Sequence, residues 1–166
     1  MLKNLKGINS WMCMMVALCL AGLPALAQKG KVKYKCMVQM TNYAGEGAYI
    51  VISLVDPKGA YEKTLYMAGP DSEWYPELKE WHKFSSKKPA NISAITGASV
   101  AGGDRGIVVV ELDEAKMNKG YSIRFESAVE NNKYYVKDLE VPLTTEGLAA
   151  KTEGTGYIRY VRFIPN

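Results

Sequence analysis

Seven short runs of strand character, turn residues between them and a single helical interruption predict an all-β chain. The expected architecture is an antiparallel β-sandwich of immunoglobulin-like type with one short helical insertion. At 166 residues and 48% hydrophobic the composition suits one globular domain, which excludes a multidomain enzyme and a disordered chain.

The N-terminal segment stands apart from that domain. Lys3 and Lys6 precede an apolar run from Trp11 to Leu23, and Ala25-Leu26-Ala27 forms a small-x-small cleavage site, the pattern of a secretory signal peptide over 1–27. Gly22 and Pro24 interrupt the run, which disfavours a retained membrane anchor, and the bulky Leu18 before Cys19 disfavours lipoprotein processing. The expected product is exported and cleaved after Ala27, leaving 28–166 as one sandwich domain. Removing 27 of 166 residues leaves 139, and removing Lys3 and Lys6 from 21 basic groups leaves 19 against 17 acids, a net charge of +2. Scattered cations at that balance do not form the basic stripe that displaces phosphate counterions, so nucleic acid is excluded as a partner. Cys13 and Cys19 leave with the signal; Cys36 alone remains, and no intrachain disulfide is possible.

The elements follow in order. Val32, Tyr34, Cys36, Val38 and Met40 alternate with mostly polar neighbours, the period of a half-buried strand, which turns Cys36 inward as a small hydrophobe. Tyr49 to Val55 is apolar on both faces and stops at Asp56-Pro57-Lys58-Gly59, a tight turn into a second hairpin arm from Tyr61 to Met67. Between Asp71 and Phe84 the period changes. Trp74, Leu78 and Trp81 recur at helical spacing, with Pro76 tolerable only near a first turn, so a short amphipathic helix is expected to plug one end of the core. A sugar-binding platform is the alternative use of the two tryptophans. From Ser85 to Asp104 the segment rich in Ser, Gly, Ala and Lys has no sustained period and is a long connection of the kind that carries function. Strands resume at Ile107 to Leu112. Tyr121, Ile123, Phe125 and Val129 then alternate with Ser122, Arg124 and Glu126, Asn131-Asn132-Lys133 turns the chain into Tyr134 to Val141, and the last strand is Tyr157 to Ile164.

Most catalytic chemistries lack their residues. One His and one Cys in the mature part make zinc, iron and haem sites improbable. His82 sits beside Trp81 without an identifiable acid, no Gly-x-Ser-x-Gly elbow is present, and Glu111 and Asp113 share a strand face as ordinary surface carboxylates. The expected protein is not a stand-alone enzyme.

One motif remains. Ser93-Ala94-Ile95-Thr96-Gly97-Ala98-Ser99 resembles the Asp-x-x-Ser/Thr-Gly-Ala-Thr/Ser sequence of proteins that receive covalent FMN. The resemblance implies that Ser99 is the acceptor, that Thr96 is the preceding hydroxyl, and that Gly97 and Ala98 keep the loop narrow enough to enter the active site of a FAD:protein FMN transferase. Ser93 stands where the motif has Asp, and Ser99 where Thr is more frequent.

Over about Lys33 to Phe163 the chain resembles the predicted periplasmic family catalogued as domain of unknown function 2271. The resemblance is carried by Tyr49-Ile50-Val51-Ile52, Thr64-Leu65-Tyr66, Leu78-Lys79-Glu80-Trp81, Ile95 to Ser99, and Gly120 to Glu126 with Glu130. Val100 to Arg105 replaces the Arg-x-Pro-Gly and Trp-Asp-Gly features of the family, which marks a divergent branch. The resemblance implies a sandwich similar in shape to a flagellar hook-capping domain, without a flagellar role, and a setting beside FMN transferases and membrane-anchored PepSY-type redox proteins. Two functions follow as expectations. In the first, FMN on Ser99 relays electrons from a membrane partner, with Arg105 and Lys87 or Lys88 screening its phosphate and Trp81 or a loop tyrosine stacking on its ring. In the second, the sandwich is a cofactor-free binding or assembly module for a periplasmic protein or a saccharide, a role that its 11 tyrosines also suit.

Overall fold

The computed structural model describes residues 30–166, so the signal-peptide assignment lies outside the described residues. Nine strands run in chain order: β1 (Lys31–Met40), β2 (Tyr49–Val55), β3 (Tyr61–Ala68), β4 (Thr96–Gly97), β5 (Arg105–Asp113), β6 (Ser122–Ala128), β7 (Tyr134–Pro142), β8 (Lys151–Glu153) and β9 (Ile158–Pro165). They form two sheets, ordered β5-β1-β9-β8 and β4-β3-β2-β6-β7, in which only the β3–β4 pair is parallel. The order β3-β2-β6-β7 is that of strands C′-C-F-G of an immunoglobulin variable-type sheet, and β5-β1 is that of E-B. The C-terminal β9 lies antiparallel on β1, in the place of an N-terminal strand A.

The inner faces interdigitate. Cys36, Val38 and Met40 of β1, Val108, Val110 and Leu112 of β5, and Val161 and Phe163 of β9 meet Ile50, Ile52 and Leu54 of β2, Ile123 and Phe125 of β6, and Leu139 and Val141 of β7. This is the alternation expected of a half-buried sheet. β2 is buried throughout because its other face is covered too. A 3₁₀ turn over Ser72–Glu77, which contains Pro76, leads into helix α1 (Lys79–Lys87). Leu78 and Trp81 pack on Tyr49, Val51, Met67 and Ala128 as a second apolar cluster. Trp81 is 1% exposed and its indole N–H donates to Thr64 Oγ1 at 2.9 Å. The expected plug therefore lies flat over the outer face of a sheet rather than at an end of the sandwich, and Trp81 presents no surface for a sugar or a flavin.

The sequence reading stops short at small elements. β4 and β8 have two and three residues, and a second helix, α2 (Thr145–Ala149), has five, too few to show a period. α2 forms because Thr144 accepts the Gly147 N–H at 2.9 Å, an N-cap bond, just after Pro142 ends β7. Two buried carboxylates also escape the pattern. Glu126 and Asp138 are both 0% exposed although their runs read as alternating with outward polar residues.

Candidate functional site

The Ser99 loop is built between fixed points. Asn91 Oδ1 accepts the Ser93 N–H at 3.0 Å and opens a 3₁₀ turn over Ser93–Ile95, closed by Ile95 N–H to Ile92 O at 2.8 Å. Thr96 Oγ1 donates to the same Ile92 carbonyl at 2.8 Å, which commits that hydroxyl to the turn. Thr96 and Gly97 then run parallel to Met67 and Ala68, and Gly69 N–H donates to Gly97 O at 2.8 Å. Glycine at position 97 leaves room for the Tyr66 hydroxyl, which a Cβ there would displace. Ala98 and Ser99 emerge exposed, and Val100 is caught at once by a bridge to Ala48. Tyr43 secures that bridge: its hydroxyl accepts the Ala48 N–H and donates to Val100 O, both at 2.8 Å, and its ring packs on Tyr157 at 4.8 Å.

Ser99 rests against Gly47. A Cβ on Gly47 would lie 2.5 Å from Ser99 Oγ. The 41–48, 98–104 and 129–133 connections gather at this end of the sandwich: Gly103 N–H donates to Thr41 O at 2.8 Å, and a Cβ on Gly45 would touch Val129. It is the end at which variable domains carry their binding loops. Its carboxylates crowd. Partial burial and then Glu46, Glu73 and Asp71 hold Glu130 above the ordinary carboxylate range. Arg105 is on the same flank, its Nε donating to Gln39 Oε1 at 3.1 Å while Gln39 Nε2 donates to Gly103 O at 2.9 Å.

The motif residues Thr96, Gly97, Ala98 and Ser99 are thus brought together as one short anchored segment, with Arg105 at its flank. The other expected helpers are not part of it. Trp81 is sealed beneath α1, Tyr43 is occupied as a pin, and Lys87 and Lys88 belong to the end of α1, Lys88 Nζ lying 6.0 Å from the Phe84 ring centroid.

Away from the loop, a cavity of about 620 Å³ lies between α1 and β3, lined by Thr64, Tyr75, Trp81, Phe84, Ile92 and Ile95, with Lys63 and Lys88 also contributing. A second, of about 690 Å³, borders the Asp56–Gly59 turn and Tyr121. Ser99 lines neither.

The two buried carboxylates have different settings. Glu126, on the face that α1 covers, accepts from Tyr61 Oη at 2.6 Å and from Tyr134 Oη, and the Tyr134 hydroxyl in turn receives the Glu80 N–H of α1 at 3.1 Å. Burial raises the Glu126 pKa against these bonds. Beside it Arg124 stacks 5.2 Å from the Tyr61 centroid and pairs with Glu140 at 3.1 Å, and Glu140 is held below its ordinary value by bonds from Ser122, Arg124 and Lys137 despite its burial. Asp138 accepts from Thr155 and Gly156 N–H on one oxygen and from Ser127 Oγ and Ile158 N–H on the other. Sequence alternation missed both. Glu126 meets Tyr61 and Tyr134 only through side chains that reach along the sheet from the Val55 and Ala128 pairings, and the bulge between Phe125 and Ser127 breaks the alternation against the strand that carries Asp138.

Other candidates fall to structural roles. Burial pushes the Cys36 thiol far up, so it is no nucleophile. Glu111 pairs with Lys31 at 2.9 Å, and Asp113 accepts the Ala115 N–H. Among the described residues no three His, Cys, Asp or Glu side chains converge as metal ligands, and His82 makes no ion pair.

A family model described as predicted periplasmic protein, domain of unknown function 2271, matches residues 31–160. No curated protein and no solved structure matches the chain.

Proposed function

The chain belongs to the domain of unknown function 2271 family of predicted periplasmic proteins, and from that premise we propose that it is an exported, non-catalytic domain that carries FMN on Ser99. One observation carries the reading. Of the three hydroxyls in the motif, that of Thr96 is bonded to Ile92 O, whereas Ser93 and Ser99 are exposed with hydroxyls that have no hydrogen bond among the described residues, and of these two only Ser99 follows the narrow Gly97-Ala98 pair.

The flanking geometry fits a modification by a second enzyme. Gly97 and Ala98 present little bulk, and the strand pairing before and the Ala48–Val100 bridge after fix the exposed Ala98-Ser99 pair at the sheet edge. In the reaction Ser99 Oγ bonds to the FMN phosphorus of FAD, the pyrophosphate P–O bond breaks, AMP leaves, and the hydroxyl proton passes to the transferase or solvent. Arg105, whose Nε donates to Gln39 on the neighbouring strand, is the cation proposed to approach the resulting phosphodiester. The attached flavin supplies one- and two-electron chemistry, and the protein supplies its position. The proposed partners are a FAD:protein FMN transferase and a membrane-anchored PepSY-type redox protein, and the proposed export ends with cleavage after Ala27.

A cofactor-free binding or assembly module is the second reading. The cavity under Phe84 and Ile92 favours it, since an apolar recess with a few polar groups is the usual form of a small-ligand site.

The test is the intact mass of the exported protein made with a periplasmic FMN transferase, beside Ser99→Ala and Thr96→Ala. The flavin reading expects a gain of one FMN less one water in the wild type and in Thr96→Ala, and none in Ser99→Ala. An unmodified wild type, with the transferase active on a known acceptor, leaves the binding module.

A further inference from the structure

The sandwich has four sheet edges, and three are protected. β4 and β8 are too short to template a partner, and β7 carries Lys137 and ends in Pro142. β5 has none of these devices. Its nine residues pair with β1 in unbroken register from Arg105 opposite Gln39 to Asp113 opposite Lys31, without a bulge, a proline or a lysine. Ile107 and Val109 on its outer side are 66% and 48% exposed.

The ladder shows which backbone groups are free. At its two ends Met40 N–H donates to Asp104 O and Glu114 N–H donates to Gly30 O, so the even-numbered residues of this strand face β1. By alternation Arg105, Ile107, Val109, Glu111 and Asp113 turn their N–H and C=O groups to the open edge. Buried or paired backbone groups are the rule in folded proteins, and a row of free ones is an invitation to a further strand.

The edge, Arg-Gly-Ile-Val-Val-Val-Glu-Leu-Asp, has opposite charges at its two ends and an apolar centre, so that its ends and centre match when it is reversed. We propose that a second copy of this chain pairs with β5 in antiparallel register about Val109, joining the two β5-β1-β9-β8 sheets into one. In that register Val109 meets Val109, Ile107 meets Glu111, and Arg105 meets Asp113 twice, once at each end of the seam. All the outward-facing N–H and C=O groups are then paired as narrow hydrogen-bonded couples. Arg105 is shared with the FMN phosphate proposed above, so the seam is tested on protein made without the transferase.

Sedimentation velocity on the full exported protein across a hundredfold concentration range tests it. The wild type is expected to pass from monomer to dimer. Arg105→Glu sets two carboxylates against each other at both ends and is expected to weaken the dimer at least tenfold, and adding Asp113→Arg is expected to restore it. Because Asp113 also caps Ala115 N–H, a second probe avoids that residue. Val109→Cys is expected to be joined to its counterpart by a short bifunctional maleimide, since facing Cα atoms in a hydrogen-bonded couple are about 5.5 Å apart and their Cβ atoms lie just beyond disulfide reach. Ile164→Cys, equally exposed at 49% on β9, is expected not to crosslink. A wild type that stays monomeric overturns the proposal. So does a dimer indifferent to Arg105→Glu, or a crosslink no faster at Val109 than at Ile164.

Discussion

Asp138→Asn changes no side-chain volume yet removes the charge at the most heavily bonded buried group in the described fold. One carboxylate oxygen takes the N–H groups of Thr155 and Gly156 at 2.9 and 2.7 Å; the other takes Ser127 Oγ at 2.5 Å and Ile158 N–H at 2.9 Å. An asparagine has one acceptor oxygen. Its better orientation leaves that oxygen on Thr155 and Gly156 and turns the amide N–H₂ toward Ser127, whose hydroxyl can reverse and accept, while the Ile158 N–H is left facing a donor. The loss is the charge assistance of the remaining bonds and one buried orphan N–H. At about 1–3 kcal/mol for an orphan and a further ~1 kcal/mol for weakened bonds, the expected cost is roughly 2–4 kcal/mol. With a urea slope of about 2 kcal/mol per molar, the middle of the usual range, that is a midpoint lowered by roughly 1–2 M. Equilibrium urea unfolding at neutral pH measures it. A midpoint within about 0.3 M of wild type would refute the claim that Asp138 holds the β8–β9 connection to β7.

Three further outcomes follow from the same geometry. Burial raises the Glu126 pKa, so the folded state holds that proton more tightly than the unfolded chain; its contribution to stability is complete below the unfolded value of about 4.3 and is lost as pH rises through the folded value. Glu126→Gln is therefore expected to gain stability relative to wild type as pH rises from about 4 toward neutrality, and a difference that stays flat or shrinks contradicts this. Thr64→Val leaves the buried Trp81 indole N–H without its acceptor and is expected to cost about 1–3 kcal/mol in urea unfolding, against nearly nothing if α1 is not sealed there. Gly47→Ala places a methyl 2.5 Å from Ser99 Oγ and is expected to cut FMN loading severalfold while the Tm stays near wild type, with undiminished loading as the adverse result.

How far the sequence speaks depends on the range of the contact involved. Cys36, Val38 and Met40 announce their inward face through neighbours two residues away, and Tyr49 to Val55 announces burial on both sides by being apolar throughout. What covers the second face is a contact between distant segments, and for that reason the helical spacing of Leu78 and Trp81 marks them as buried without saying against what. The same helix buries Glu126, whose outward position in the alternation would otherwise mean solvent. Of the loop, the Thr-Gly-Ala-Ser pattern was legible as a motif. Which of its hydroxyls is free depends on Ile92 O and on the Ala48 bridge, neither of which a linear pattern encodes.

Peptide mapping of the exported protein made with an FMN transferase shows which hydroxyl of this loop end accepts the flavin. Trypsin releases a segment ending at Arg105 that contains Ser93, Thr96 and Ser99 together. This peptide alone is expected to gain one FMN less one water, with fragmentation assigning the gain to Ser99. The same gain on Ser93 or Thr96, or its absence under conditions that load another acceptor, would contradict that assignment.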